Sequence, residues 1–298
     1  MTMIKHLPFY IVHAFVGQDL RGNPAGVCVL DHWPADSLLM YIAAENQLPE
    51  TTFIVRHGED FDIRWFTPIA EVDLCGHGTL AAAWVVFHHL EMLATEITFK
   101  TMQAGELKAT RKGEMICLDF PIREPVPELE EEVLADLKNV IGIQPVQTVR
   151  NRDLIAVLKT AQDVINVKPN LVKMLELPCI AVVVTAPGGD RCDFVSRFFA
   201  PSKGLDEDHV TGSAHCTLVP YWSQRLKKND LHAIQVSPRG GELFCSIGSD
   251  RVLLTGRTRS YLKGELHVCW QEREAPLATH TRAASHHQSS KAPHANGH

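Results

Sequence analysis

The chain has 298 residues, 45% hydrophobic and 21% charged, enough apolar content for one large or two medium packed domains. A formal charge of −6 without a Lys/Arg stripe argues against nucleic acid as a partner. Residues 1–9 carry Lys5 and His6 but no sustained apolar run, and no segment nears the ~20 apolar residues of a membrane span, so a cytoplasmic protein is expected.

In chain order, Phe9, Ile11 and Val12 predict a strand, and 26–30 predicts a second after a turn at 18–24. The pattern at 37–46 predicts a helix with Leu38, Leu39, Ile42 and Ala43 on one side. Strands are expected at 52–55 and 63–66, and a buried helix over 76–89, where Leu80, Trp84 and Phe87 recur at helical spacing. Residues 97–120 alternate like an antiparallel meander. The acidic stretch 127–138 predicts a solvated helix with Glu128 and Glu130, Glu131 and Glu132 in its first turn, favouring the helix dipole. Strands follow at 180–184 and 194–199, then a helix from about Gly212 that Pro220 is expected to kink, then strands within 234–270. Residues 271–298, rich in Ala, Ser and His, predict a disordered tail rather than a metal-binding tract. The eight cysteines lack C-x-x-C or zinc-finger spacing and read mostly as free, buried thiols.

An internal repeat runs through this order. The run R-W-F-T-P at 64–68 matches R-F-F-A-P at 197–201, and an aspartate, Asp73 or Asp206, lies nine residues after each Arg. Gly76 and Gly212 are separated by 136 residues, and so are Gly105 and Gly241 in the paired segments A-G-E-L and G-G-E-L. Two landmarks with one offset indicate a duplication. Domains are expected at 1–124 and 125–270.

Both duplicated glycine segments open an expected buried helix. The free backbone N–H groups and positive dipole end of such a helix attract an anion, and glycine lets it approach the backbone. Two facing helix starts would grip a carboxylate from both sides. No phosphate-binding loop or dinucleotide fingerprint occurs, and no ligand cluster is apparent, so neither a cofactor nor a metal is expected.

Six segments occur in order and register: R-G-N-P-A-G-V at 21–27, L-P-E-T-T-F at 48–53, R-W-F-T-P at 64–68, L-C-G-H-G-T at 74–79, E-D-H-V-T-G-S-A at 207–214 and R-G-G-E-L at 239–243. Together they resemble the PhzF-like isomerases, a family named for phenazine biosynthesis, over about 9–270. The resemblance implies a diaminopimelate-epimerase-like α/β (α+β) fold. Its two pseudo-repeated domains would each be a curved, mostly antiparallel sheet or barrel around a central helix, with the site between them. It also implies a cofactor-free biosynthetic enzyme that forms a homodimer and moves a proton within a small carboxylate-bearing substrate, a dihydro-hydroxyanthranilate being one candidate.

Carried over residue by residue, the resemblance makes Glu50 the acid/base. His77 and Asp208 would orient the substrate or tune Glu50. Gly76, Gly212 and Ser213 would bind the carboxylate, and Asn23 joins them as a substrate-binding residue. Read without the family, Glu50 would be a solvated group at a helix-to-strand turn, and Asp208 a helix cap. The sequence departs from the family pattern at Pro49 (usually Ser), Gly78 (usually Pro or Ala) and His209 (usually Pro), each of which can reshape the pocket. One rival is a two-base cysteine epimerase, with Cys75 as one thiol; its counterpart position reads Val210, and Cys216 lies six residues later. The other is a non-catalytic binding or scaffold protein.

Overall fold

The computed structural model describes residues 4–269, so the expectation of a disordered tail at 271–298 lies outside the described residues. The first half runs β1 (Ile4–Val16), β2 (Asn23–Leu30), α1 (Asp36–Asn46), β3 (Glu50–His57), β4 (Asp60–Phe66), β5 (Glu71–Val72), α2 (Gly76–Val85), β6 (Glu96–Lys100), β7 (Glu106–Lys112) and β8 (Met115–Pro121). The second half runs β9 (Val126–Pro127), α3 (Glu131–Ile141), β10 (Gln147–Arg150), β11 (Leu154–Val157), α4 (Ala161–Asn166), α5 (Leu171–Met174) and β12 (Val182–Pro187). It continues with β13 (Phe194–Ala200), β14 (Leu205–Asp208), α6 (Gly212–Leu226), β15 (Asp230–Gln235), β16 (Gly241–Ile247) and β17 (Arg251–Cys269).

Pairing closes the first set into a ring. The order is β1–β2–β3–β4–β6–β7–β8–β17 and back to β1, with β2–β3 and β4–β6 parallel and the other pairs antiparallel. The second set repeats the plan: β9–β10–β11–β12–β13–β15–β16–β17, parallel at β11–β12 and β13–β15. The short strands β5 and β14 hang from β4 and β13 in the same way. The expected duplication is therefore present in the strand order itself. β17 belongs to both sets, pairing β16 and β8 through its first residues and β1 from Arg257 to Cys269.

Each strand set wraps around one helix. α2 is buried except at Trp84, with Leu80, Ala81, Ala82, Ala83 and Val85 showing no exposure, and α6 is buried from Gly212 to Ser223. A helix without a polar face has no solvent side to present, so it sits inside. The alanines of α2 keep it slim enough for a closed ring of strands. At 86–90 α2 ends in a single π turn. α1 packs Leu38, Leu39 and Ile42 outside the first barrel, against Phe53 and Phe66. α3, α4 and α5 cover the outer face of β11–β13 through Leu137, Val164 and Met174.

Some local expectations change. The strand expected around Phe9 extends from Ile4 to Val16, because β17 runs beside it as a partner that local pattern cannot reveal. Pro220 does not interrupt α6, which is continuous to Leu226. The carbonyl of Cys216, which an N–H at position 220 would have bonded, instead accepts from the Arg123 N–H at 3.0 Å. Glu128 lies before α3, not in its first turn, and is buried; it accepts the N–H groups of Leu129 and Glu130 and pairs with Arg150 at 3.0 Å. All eight cysteines are free, and six of them are buried.

Candidate active site

α2 and α6 meet end to end. A Cβ built on Gly76 would lie 2.7 Å from the Gly212 Cα, and one on Gly212 would lie 2.9 Å from the Gly76 Cα. Only glycine at both positions lets the two backbones touch. Two positive helix ends then share one place, which favours an anion there over solvent. Cys75 caps α2 by accepting the Gly78 N–H on its sulfur, whereas Thr211 makes no side-chain cap on α6. The Thr211 hydroxyl instead donates to Asp208.

Beside this junction lies a cavity of about 350 Å³ lined from both halves, with Glu50, Gly76 and His77 on one side and Asp208, Gly212 and Ser213 on the other. Glu50 is the first residue of β3, paired with Ala25 of β2, and is 6% exposed rather than a solvated turn residue. Its carboxylate Oε2 is 2.9 Å from His77 Nε2. Asn23, fully buried, brings its amide nitrogen to 3.1 Å from His77 Nδ1 and donates to Asp208 Oδ1 at 2.7 Å. Asn23 thus stands behind the acid/base groups, and the cavity lining does not include it.

Sequence reasoning missed Gln235. Its amide donates to the Asp208 carbonyl at 2.8 Å, and its oxygen accepts the Thr211 N–H at 2.8 Å, fixing the loop that carries Asp208. No repeat or motif flags this residue; only the β13–β15 pairing brings it there. Also missed were the partners of the repeated arginines. Arg64 holds Glu71 through Nε and Nη2, both at 2.7 Å, and Arg197 holds Glu207 the same way at 2.7 and 2.9 Å. Glu71 and Glu207 are 136 residues apart, the offset of the glycines, so they, rather than Asp73 and Asp206, are the equivalent carboxylates.

Electrostatics follow from burial. Burial alone would lower the His77 pKa, but the neighbouring Cys75 sulfur and Glu50 carboxylate outweigh it and hold the imidazole well above its ordinary value. The Cys75 thiol is itself pushed up to about 11, chiefly by burial. Burial also raises Asp208, to about 6, against the opposing pull of His77. The arrangement is a buried carboxylate held by an imidazole, facing a cavity with helix N–H groups on its far side. It can accept and return a proton close to a bound anion.

The two-thiol alternative is not assembled. Thr211, not Val210, occupies the N-cap position matching Cys75, and Cys216 lies within α6, away from the cavity lining. Asp208 does not cap α6; it accepts from Asn23 and Thr211. The Gly78 departure has a packing cause, since a Cβ there would lie 2.5 Å from Thr52 Oγ1 and 2.9 Å from the Trp65 ring. His209 is half buried, with its carbonyl accepting from Ser237 at 2.7 Å.

A family model described as phenazine biosynthesis-like protein, PhzC-PhzF, matches residues 12–264. The chain is 42% identical over 262 residues to an uncharacterized isomerase of Pseudomonas aeruginosa, covering 88% of this chain and 99% of that protein. Its fold matches a crystal structure of a PhzF-family phenazine biosynthesis protein of Enterococcus faecalis, with a TM-score of 0.81, 40% identity, and coverage of 89% of this chain and 100% of the other. A hydroxyproline epimerase of Agrobacterium vitis, 11% identical with a TM-score of 0.58 over 90% of this chain and 94% of the other, shares the fold alone.

Proposed function

The chain belongs to the PhzC-PhzF, phenazine biosynthesis-like family, and from that premise we propose that it is an isomerase in which Glu50 alone relocates a proton within a small carboxylate-bearing substrate. The observation that carries this reading is the placement of Glu50 against His77 in a cavity bounded by the α2 and α6 N-termini. The substrate carboxylate takes the N–H groups at the start of the two helices, with Gly76, Gly212 and Ser213 around it. Glu50 removes a proton from one carbon and returns it to another on the same face, work worth roughly 10²–10⁴-fold when geometry is right. His77 supports the carboxylate at 2.9 Å, and Asn23 holds His77 from behind while donating to Asp208. Burial of Glu50 keeps bulk water from competing for the proton in transit. The family also supports a cytoplasmic homodimer with a biosynthetic role, and a dihydro-hydroxyanthranilate as the first substrate to test.

Glu50→Gln keeps the shape and cannot accept a proton. It is expected to retain ligand binding while turnover falls by about 10²-fold or more. Substrate deuterated at the donor carbon is expected to give product that keeps part of its label in ordinary water. Near-normal turnover by Glu50→Gln would sink the assignment.

A further inference from the structure

A second depression, of about 520 Å³, shares no lining residue with the acid/base cavity. Three arginines reach it from three elements: Arg21 from the turn between β1 and β2, Arg239 from the turn between β15 and β16, and Arg259 from β17. The two turns are tied together. The Arg21 N–H donates to the Arg239 carbonyl and the Gly22 N–H to the Gly240 carbonyl, both at 2.9 Å. Both glycines are left-handed, with φ of 67° and 66°, and a Cβ on Gly22 would lie 2.3 Å from the Ala14 carbonyl oxygen. Arg239 is further anchored, donating from Nε to the Gly22 carbonyl at 2.9 Å. Arg21 and Arg239 are thus placed by backbone that has little freedom to move.

No carboxylate lines this depression, and none of the three guanidiniums forms an ion pair among the described residues. His13, opposite Arg259 in the β1–β17 register, stacks on Tyr261 at 5.2 Å and forms one wall. Burial and the charges of Arg239 and Arg259 lower its pKa, so the positive field extends across the depression. Gathering three cations with no carboxylate among them costs repulsion energy that a bound anion would offset. A planar carboxylate meets forks arriving along one plane. A tetrahedral phosphate offers oxygens in several directions, which suits guanidiniums arriving from two turns and a strand.

The geometry points to a binding site for a small molecule carrying a multiply charged phosphate, held by Arg21, Arg239 and Arg259 and separate from the Glu50 cavity. Calorimetric titration of the full chain with inorganic pyrophosphate tests it. Saturable binding below about 0.1 mM is expected, weakened about tenfold by each of Arg21→Ala and Arg259→Ala and unchanged by Glu50→Gln. Citrate is the competing probe, and tighter binding of citrate would assign the site to polycarboxylates and overturn the phosphate. The proposal also fails if wild-type protein shows no saturable binding or if the double arginine variant binds as well as wild type. It fails equally if the arginine variants split an oligomer while wild type ignores pyrophosphate, because the face would then be a contact between copies.

Discussion

Cys75 and His77 are two residues apart on one helix start, with the sulfur 3.6 Å from Nδ1, yet their chemistry diverges. Burial pushes the thiol up to about 11, leaving few thiolates near neutral pH. Cys75→Ala removes a weak cap on Gly78 and is expected to keep most turnover, measured beside Glu50→Gln; a hundredfold loss with an intact fold would return the case to thiol chemistry. His215 gives the acid-stability prediction. It is fully buried in α6, its Nδ1 donates to the Thr211 carbonyl at 2.8 Å, and its Nε2 has no hydrogen-bond partner. Burial lowers it to about 4 from an ordinary 6.5. The unfolded chain therefore takes up this proton first as pH falls. The contribution of His215 to stability is complete above pH 6.5 and is lost as pH drops to about 4, to the extent of about 3 kcal/mol. Urea unfolding from pH 7 to pH 4 is expected to show a flatter acid limb in His215→Leu.

At the scale of elements, the contact between α2 and α6 sets the tolerance of the site to change. Gly212→Ala gains about 1 kcal/mol of helix propensity but drives a Cβ to 2.9 Å from the Gly76 Cα, where backbone meets backbone. Overpacking costs about 1–3 kcal/mol and wins. Gly212→Ala is expected to lower the melting temperature and to part the helix ends, weakening carboxylate binding more than it changes the pH profile of turnover; thermal unfolding and ligand titration check both. α6 also explains why Pro220 is harmless. The carbonyl it frees meets the Arg123 N–H in the link between β8 and β9, so no buried acceptor is orphaned.

For the whole molecule, β17 decides what can fold alone. We propose that the repeat boundary near 124/125 divides the sequence without dividing the folding unit, because the eighth strand of the first barrel comes from the C-terminal end. Residues 1–124 expressed alone would leave the exposed edges of β1 and β8 unpaired and are expected to stay unfolded or aggregate. Co-expression with 125–298 is expected to restore a soluble complex with native circular dichroism. A folded monomer of 1–124 would contradict this view.

Sequence alone determined the duplication, both central helices and the glycines that start them, because those features follow from local periodicity and from the stereochemistry of one residue type. The six segments in register already singled out Glu50, His77 and Asp208 as candidates, and all three line one cavity. Tertiary structure decided the rest. Asn23 reads locally as a turn residue, and its burial behind His77 and Asp208 arises only when the two halves close on each other. Gln235 and the grouping of Arg21, Arg239 and Arg259 likewise depend on strand pairings between distant segments. Local pattern encodes which face of an element is apolar; which distant polar groups then meet is fixed by how the two strand sets join through β17, and that is a property of the whole chain.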